Sequence, residues 1–120
     1  MLDLVNTIDF VKKNFYEKKL TDPCYDFFYS SILIHILSLE IASASYWDDC
    51  LSFEMLCKKI PTKLGCRSTI YSTLDLGVQK GFFIKKYSTK DRRIRFYFLS
   101  EPYSLMITQW YLDQKKYFSN

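Results

Sequence analysis

This sequence predicts a mainly α domain with a small β-hairpin, a winged helix-turn-helix in the order ααααββα, and three observations predict it. First, residues 81–100, GFFIKKYSTKDRRIRFYFLS, form two short β-prone arms around a tip that carries Asp91, Arg92, Arg93 and Arg95. Second, the stretch just upstream, RSTIYSTL, reads as a short helix with a polar face rich in small hydroxyl side chains. Third, the positive charge is concentrated on these elements. Eleven basic residues (Lys58, Lys59, Lys63, Arg67, Lys80, Lys85, Lys86, Lys90, Arg92, Arg93 and Arg95) face only Asp75 and Asp91 between positions 58 and 95, a local charge of +9. A chain of net charge +4 therefore carries −5 on everything else. A helix that can enter a groove, followed by an arginine-tipped hairpin on a basic patch, makes a polyanion the expected partner, and duplex DNA the first to consider.

The elements follow in order along 120 residues, a length suited to one domain. Residues 2–19 read as an amphipathic helix, with Leu4, Ile8, Val11 and Phe15 at three- and four-residue spacing and the lysines largely off that stripe. Thr21-Asp22-Pro23 supplies a stop, a cap and a preset first-turn residue for a second helix over 24–45. That helix is apolar nearly all round (Phe27, Phe28, Ile32, Leu33, Ile36, Leu37, Ile41), which suits the centre of a domain or a subunit interface. Residues 46–51 read as a loop. Ser52 then caps a short third helix over 53–60, with Glu54 in its first turn and Pro61 as its stop. A fourth helix over 66–79 buries Ile70, Leu74 and Val78, turns Arg67, Ser68, Thr69, Tyr71, Ser72 and Asp75 outward, and stops at Gly81. Strands over 82–87 and 94–99 enclose the loop 88–93, and Ser100 with Pro102 opens a last helix to 118. The sequence is read as a single winged-helix domain over 1–120, with DNA-binding elements at 52–100 and dimerisation elements at 1–45 and 102–120.

Other classes fare less well. Cys24, Cys50, Cys57 and Cys66 form no C-x-x-C pair, so zinc-ligand spacing is absent and no metal or other cofactor is expected. Such cysteines suit a reducing cytosol. Acidic Asp3 and Asp9 stand where the basic region of a signal peptide would be, and five serines, His35 and Glu40 interrupt the apolar run 27–47, so neither export nor a membrane span is expected. The expected location is the cytoplasm. An enzyme would need a Cys–His nucleophile pair built on His35, the single histidine, and three glycines leave little material for an oxyanion loop, so no catalysis is expected. The remaining alternative is a winged helix that binds protein or RNA without sequence-specific recognition of DNA.

The stretch 68–100 resembles the MarR family (multiple-antibiotic-resistance-type regulators). Ser68-Thr69-Ile70, Leu74, Lys80-Gly81, Asp91-Arg92-Arg93 and Leu99-Ser100 follow in order the family's recognition helix, stop, wing and entry to the last helix. Leu56-Cys57 looks like the Leu-Ala of its supporting helix, and the pattern covers about a third of the chain. Four departures stand out: Gly77 replaces a core leucine, the turn 57–69 is longer and holds Pro61, Ser72 replaces an arginine, and less chain follows the wing. The first predicts a bent or differently packed end to the recognition helix.

The resemblance implies a homodimeric regulator with the fourth helix in the major groove. Arg67, Ser68, Thr69, Tyr71 and Ser72 are its candidate readers of base edges and phosphates, and Lys58, Lys59 and Lys63 flank the groove at the phosphates. Lys90, Arg92, Arg93 and Arg95 belong to the wing, Arg93 being the candidate for the minor groove and Asp91 the group that orients an arginine. Leu4, Ile8, Val11, Phe15, Met106, Trp110, Tyr117 and Phe118 are the candidate dimer interface. A small aromatic effector is a further implied partner, with Tyr46, Trp47, Trp110 and His35 as candidate lining. Cys66, beside Arg67 at a helix N-terminus, is the candidate redox-active thiol, with Cys57 as a candidate partner.

Overall fold

The computed structural model describes residues 2–118, with the side chains of Leu2 and Phe118 outside the described residues. The elements are α1 (Leu2–Thr21), α2 (Pro23–Phe28), α3 (Ile32–Tyr46), β1 (Leu51–Ser52), α4 (Phe53–Lys59), α5 (Arg67–Gln79), β2 (Phe83–Tyr87), β3 (Arg95–Leu99) and α6 (Glu101–Phe118). Two differences from the expected ααααββα order have local causes. The helix expected over 24–45 is broken. Ser30 Oγ donates to the Phe27 carbonyl at 2.6 Å, and Ser31 Oγ accepts from the Ile34 N–H at 3.0 Å, ending one helix and capping the next. Adjacent serines compete for the backbone groups a continuous helix needs. In addition, Leu51, expected to end a loop, forms a two-residue strand with the capping Ser52, paired with Tyr97 and Phe96. Two residues are too few for a period to show.

The sheet is antiparallel in the order β1-β3-β2, with Phe83 opposite Leu99 and Tyr87 opposite Arg95. Sheet and helices enclose one core, in which Phe28, Leu37, Leu56, Leu74 and Tyr103 are fully buried. Its polar groups are satisfied: Ser38 Oγ donates to the Ile34 carbonyl at 2.7 Å, so the Tyr103 phenol donates to Ser38, also at 2.7 Å. Asp22 caps α2 through the Cys24 and Tyr25 N–H groups, and Ser52 caps α4 through Met55 N–H. This is a winged helix, with α4 and α5 as the helix-turn-helix and β2–β3 as the wing.

α1 and α6 lie against one another, joined by Phe10 on Tyr117 (5.3 Å, edge-on) and by a 2.9 Å ion pair between Lys18 and Asp113. Both leave apolar side chains in solvent: Leu4, Val5, Ile8 and Phe10 on α1, and Leu105, Tyr111 and Leu112 on α6. No helix among the described residues is long and apolar enough to cross a membrane.

Candidate nucleic-acid interface

α5 runs unbroken from Arg67 to Gln79, so Gly77 does not bend it. The packing differs instead. Gly77 is buried, and the Phe83 ring from β2 occupies the space beside it. Ile70 and Leu74 anchor the inward face, while Ser68, Thr69, Tyr71 and Ser72 are exposed. Several of the hydroxyls are already engaged. Ser72 Oγ donates to the Ser68 carbonyl at 2.6 Å and Thr73 Oγ1 to the Thr69 carbonyl at 2.7 Å, each leaving its oxygen free to accept. Cys66 stands at the N-cap position of α5 without a side-chain cap hydrogen bond, and its Sγ lies 3.2 Å from Ser68 Oγ and 3.4 Å from Thr69 Oγ1. The Ser68 and Thr69 hydroxyls stabilise the thiolate and bring the Cys66 pKa down to about 6. Cys57 is opposite in character: it packs against the core, and burial pushes its thiol up.

The lysines expected at the flanks are exposed, Lys58 and Lys59 at the end of α4 and Lys63 in the turn. Lys59 lies 3.8 Å from Glu40. Arg67 does not stand free. It donates two hydrogen bonds to Glu54, at 2.7 and 2.6 Å, and its guanidinium lies over the Phe53 ring at 5.1 Å. Glu54, read from sequence only as a favourable first-turn charge, is thus part of this surface, and Arg67 holds its carboxyl below the usual range. No local pattern pairs positions 54 and 67, because the helix-turn-helix fold alone brings them together.

At the wing, Lys90, Arg92 and Arg93 are exposed. The Arg93 side chain is 91% accessible yet held in place. It donates to both Asp91 carboxylate oxygens at 3.1 Å, and its backbone N–H reaches the same carboxylate at 3.0 Å. The ion pair keeps the Asp91 carboxyl below its ordinary range. Arg95 is not at the tip, as the sequence reading placed it. It opens β3, half-buried, with its guanidinium 5.3 Å over the Tyr71 ring of α5. Arg95 thus sits at the base of the wing, where β3 begins, and meets the recognition helix rather than the tip. The exposed face of α5 thereby continues onto β3 and out to the wing tip.

Of the candidate dimer residues, Leu4 and Ile8 are exposed, and Val11, Phe15, Met106 and Tyr117 are half-buried. Trp110 is engaged within the protomer: its Nε1–H donates to Tyr29 Oη at 2.7 Å, and its ring stands edge-on to Phe28 and His35. The Phe118 side chain lies outside the described residues. The four residues expected to line one effector pocket are not together. His35 and Trp110 meet near the start of α3, whereas Tyr46 and Trp47 meet edge-on at its far end, 82% and 77% exposed. Eleven residues of α-helix separate the two groups by roughly 16 Å. A cleft of about 260 Å³ does exist between α1, α2 and α6, lined by Phe15, Tyr16, Tyr25, Tyr29, Gln114 and Tyr117.

No protein-family model matches this chain, and no curated protein does. Solved structures do resemble it. The heme sensor protein PefR from Streptococcus agalactiae, in complex with heme, superposes with a TM-score of 0.61 at 14% identity, over 94% of this chain and 69% of that one. Apo, heme-free PefR gives a TM-score of 0.46 at 14% identity, over 94% and 91% of the two chains. At this identity the likeness is one of fold. A sensor protein and this chain share the winged-helix architecture.

Proposed function

We propose that this protein is a homodimeric, MarR-like transcriptional regulator that binds duplex DNA in a sequence-specific manner, with α5 in the major groove and the wing in the minor groove. One observation carries the reading: the exposed face of α5, through Tyr71 and Arg95, is continuous with a wing tip on which Asp91 holds Arg93 outward. A restrained, exposed guanidinium suits a narrow minor groove, where the phosphate field is strongest. Lys58, Lys63, Lys90 and Arg92 supply phosphate contacts, and Ser68, Thr69 and Ser72 stand where base edges would come. The uncovered apolar side chains of α1 and α6 support the dimer, since exposed apolar patches mark association surfaces. Two copies would present two recognition helices to half-sites one helical turn apart. Such a regulator acts in the cytoplasm and performs no catalysis.

A small aromatic effector suits the cleft between α1, α2 and α6, whose lining combines tyrosines and amides with Phe15, Val11 and Lys12 and whose volume lies just below the ~300–1,000 Å³ typical of ligand pockets. The heme of the structural neighbour fits less well. His35, the one imidazole, packs against Phe28, Tyr29 and Trp110 and is not among the residues lining the cleft, which include no histidine, cysteine or methionine.

The test is selection of bound fragments from random duplex DNA at two salt concentrations. A palindromic enriched site, with affinity falling steeply as salt rises, is expected. Weak association that ignores salt would point to a winged helix that binds protein or RNA instead.

A further inference from the structure

Two of the arginines on the proposed DNA face are already held by the protein itself, in a continuous series of contacts. Glu54 on α4 grips Arg67 on α5 in a two-pronged ion pair. Arg67 lies 5.1 Å over the Phe53 ring, and Phe53 meets Tyr71 edge-on at 5.8 Å and 88°. Tyr71 carries Arg95 of β3 on its face at 5.3 Å. The series crosses from the supporting helix, along the recognition helix, to the base of the wing. Arg92 and Lys90, by contrast, are exposed at the wing and appear in none of these contacts.

Stability does not account for it. Both members of the Glu54–Arg67 pair are about three-fifths exposed, and ion pairs so placed contribute little to folding. A carboxylate on a DNA face also repels phosphate, so beyond its first-turn place on α4 the charge of Glu54 is best used there to direct Arg67. Planar stacking of guanidinium on aromatic rings is directional, and lysine would not reproduce it. The geometry points to Glu54, Arg67, Tyr71 and Arg95 as positioning residues: together they set the angle between the recognition helix and the wing, and Arg67 and Arg95 are not phosphate contacts. The inference rests on the DNA-binding reading, and it departs from the plain expectation that every arginine on this surface meets a phosphate.

The test measures fluorescence-anisotropy affinities of the full chain for a mixed-sequence duplex and for the site enriched by selection, each across a salt series. Arg67→Gln, Arg95→Gln and Arg92→Gln are compared with wild type. A phosphate contact contributes about 0.9 to the slope of log affinity against log salt. Arg92→Gln is expected to lose that amount, while Arg67→Gln and Arg95→Gln keep the wild-type slope. Both should instead lower preference for the enriched site over the mixed duplex by about fivefold, the equivalent of one mismatched base pair. In the free protein, amide exchange across residues 88–95 should quicken about two- to fivefold in Arg95→Gln, as loss of one cation–π contact allows. A slope reduced by about 0.9 in Arg67→Gln or Arg95→Gln overturns the inference, because it marks a phosphate contact. Unchanged exchange in Arg95→Gln overturns it too. A wild type that shows no salt-dependent binding sinks the DNA reading, and the positioning role with it, while exchange in the free protein still decides the contact series.

Discussion

The ring of Phe83 lies where a side chain at position 77 would have to stand. A Cβ on Gly77 would come within 2.6 Å of Phe83 Cε2 and nearer still to Cδ2, and the ring, 1% exposed, has no open side to move into. Helix α5 and strand β2 are thus locked by a glycine–phenylalanine pair where the family's pattern has a leucine.

Gly77→Leu is therefore expected to destabilise the domain by about 1–3 kcal/mol through overpacking, although leucine is a better helix former than glycine. Adding Phe83→Ala to Gly77→Leu should recover stability relative to Phe83→Ala alone, since the leucine fills part of the vacated space. Urea denaturation of the three variants checks this. A Gly77→Leu protein as stable as wild type would show that the ring yields freely.

Arg93→Ala should lower DNA affinity by about 1–3 kcal/mol. Asp91→Ala should lower it as well, even though it removes a negative charge from the interface, because Arg93 then loses its restraint. The double variant should be no weaker than Arg93→Ala, as both changes remove one shared interaction. Strict additivity in anisotropy titrations would separate the two residues. The pH dependence has a definite sign. Asp91 is held below its ordinary value, so the restraint is present above that value and is lost only as pH falls through the depressed one. The Arg93–Asp91 pairing should persist unchanged from about pH 7 to pH 5, both above the ordinary aspartate value of about 3.9.

Cys66, with its pKa brought down to about 6, should be mostly thiolate at neutral pH. Its alkylation by iodoacetamide should rise with pH through about 6 and then level off. Cys24 and Cys57, both pushed up by burial, should lag far behind. Ser68→Ala removes the leading cause and should move the Cys66 midpoint upward. Mass spectrometry of peptides labelled across a pH series reads all three thiols at once. Undiminished DNA binding after peroxide treatment would dismiss a regulatory role for this thiol.

Light scattering at micromolar concentration should give a dimer mass. Leu4→Asp combined with Ile8→Asp should shift it to monomer with the helical content kept, because neither side chain is buried in the protomer. Trp110→Phe should act otherwise. It should leave the dimer in place and cost about 1 kcal/mol of stability, the net worth of a hydrogen bond such as that to Tyr29. A monomeric wild type would refute the association.

Much of the fold was legible in the chain because its signals are local. Asp22-Pro23, Ser52, Pro61, Gly81 and Ser100 punctuate the helices through backbone chemistry that acts within a few residues. Apolar spacing gave the core face of α5, and the β-prone arms located the wing. The serine pair that breaks α2 from α3 was visible too, but an almost wholly apolar stretch around it outweighed that signal.

The sequence alone determined the helices and wing strands other than the α2–α3 break and β1, the concentration of charge between Lys58 and Arg95, and the wing with Asp91 beside Arg93, all of which depend on neighbours in the chain. Only the tertiary structure decided which of those charges stand free. Glu54 reaches Arg67 across thirteen residues, Tyr71 reaches Arg95 across twenty-four, and Trp110 finds Tyr29 from the other end of the domain. Pairings over such separations leave no period or spacing in a sequence, because they exist only once the core has brought distant segments together.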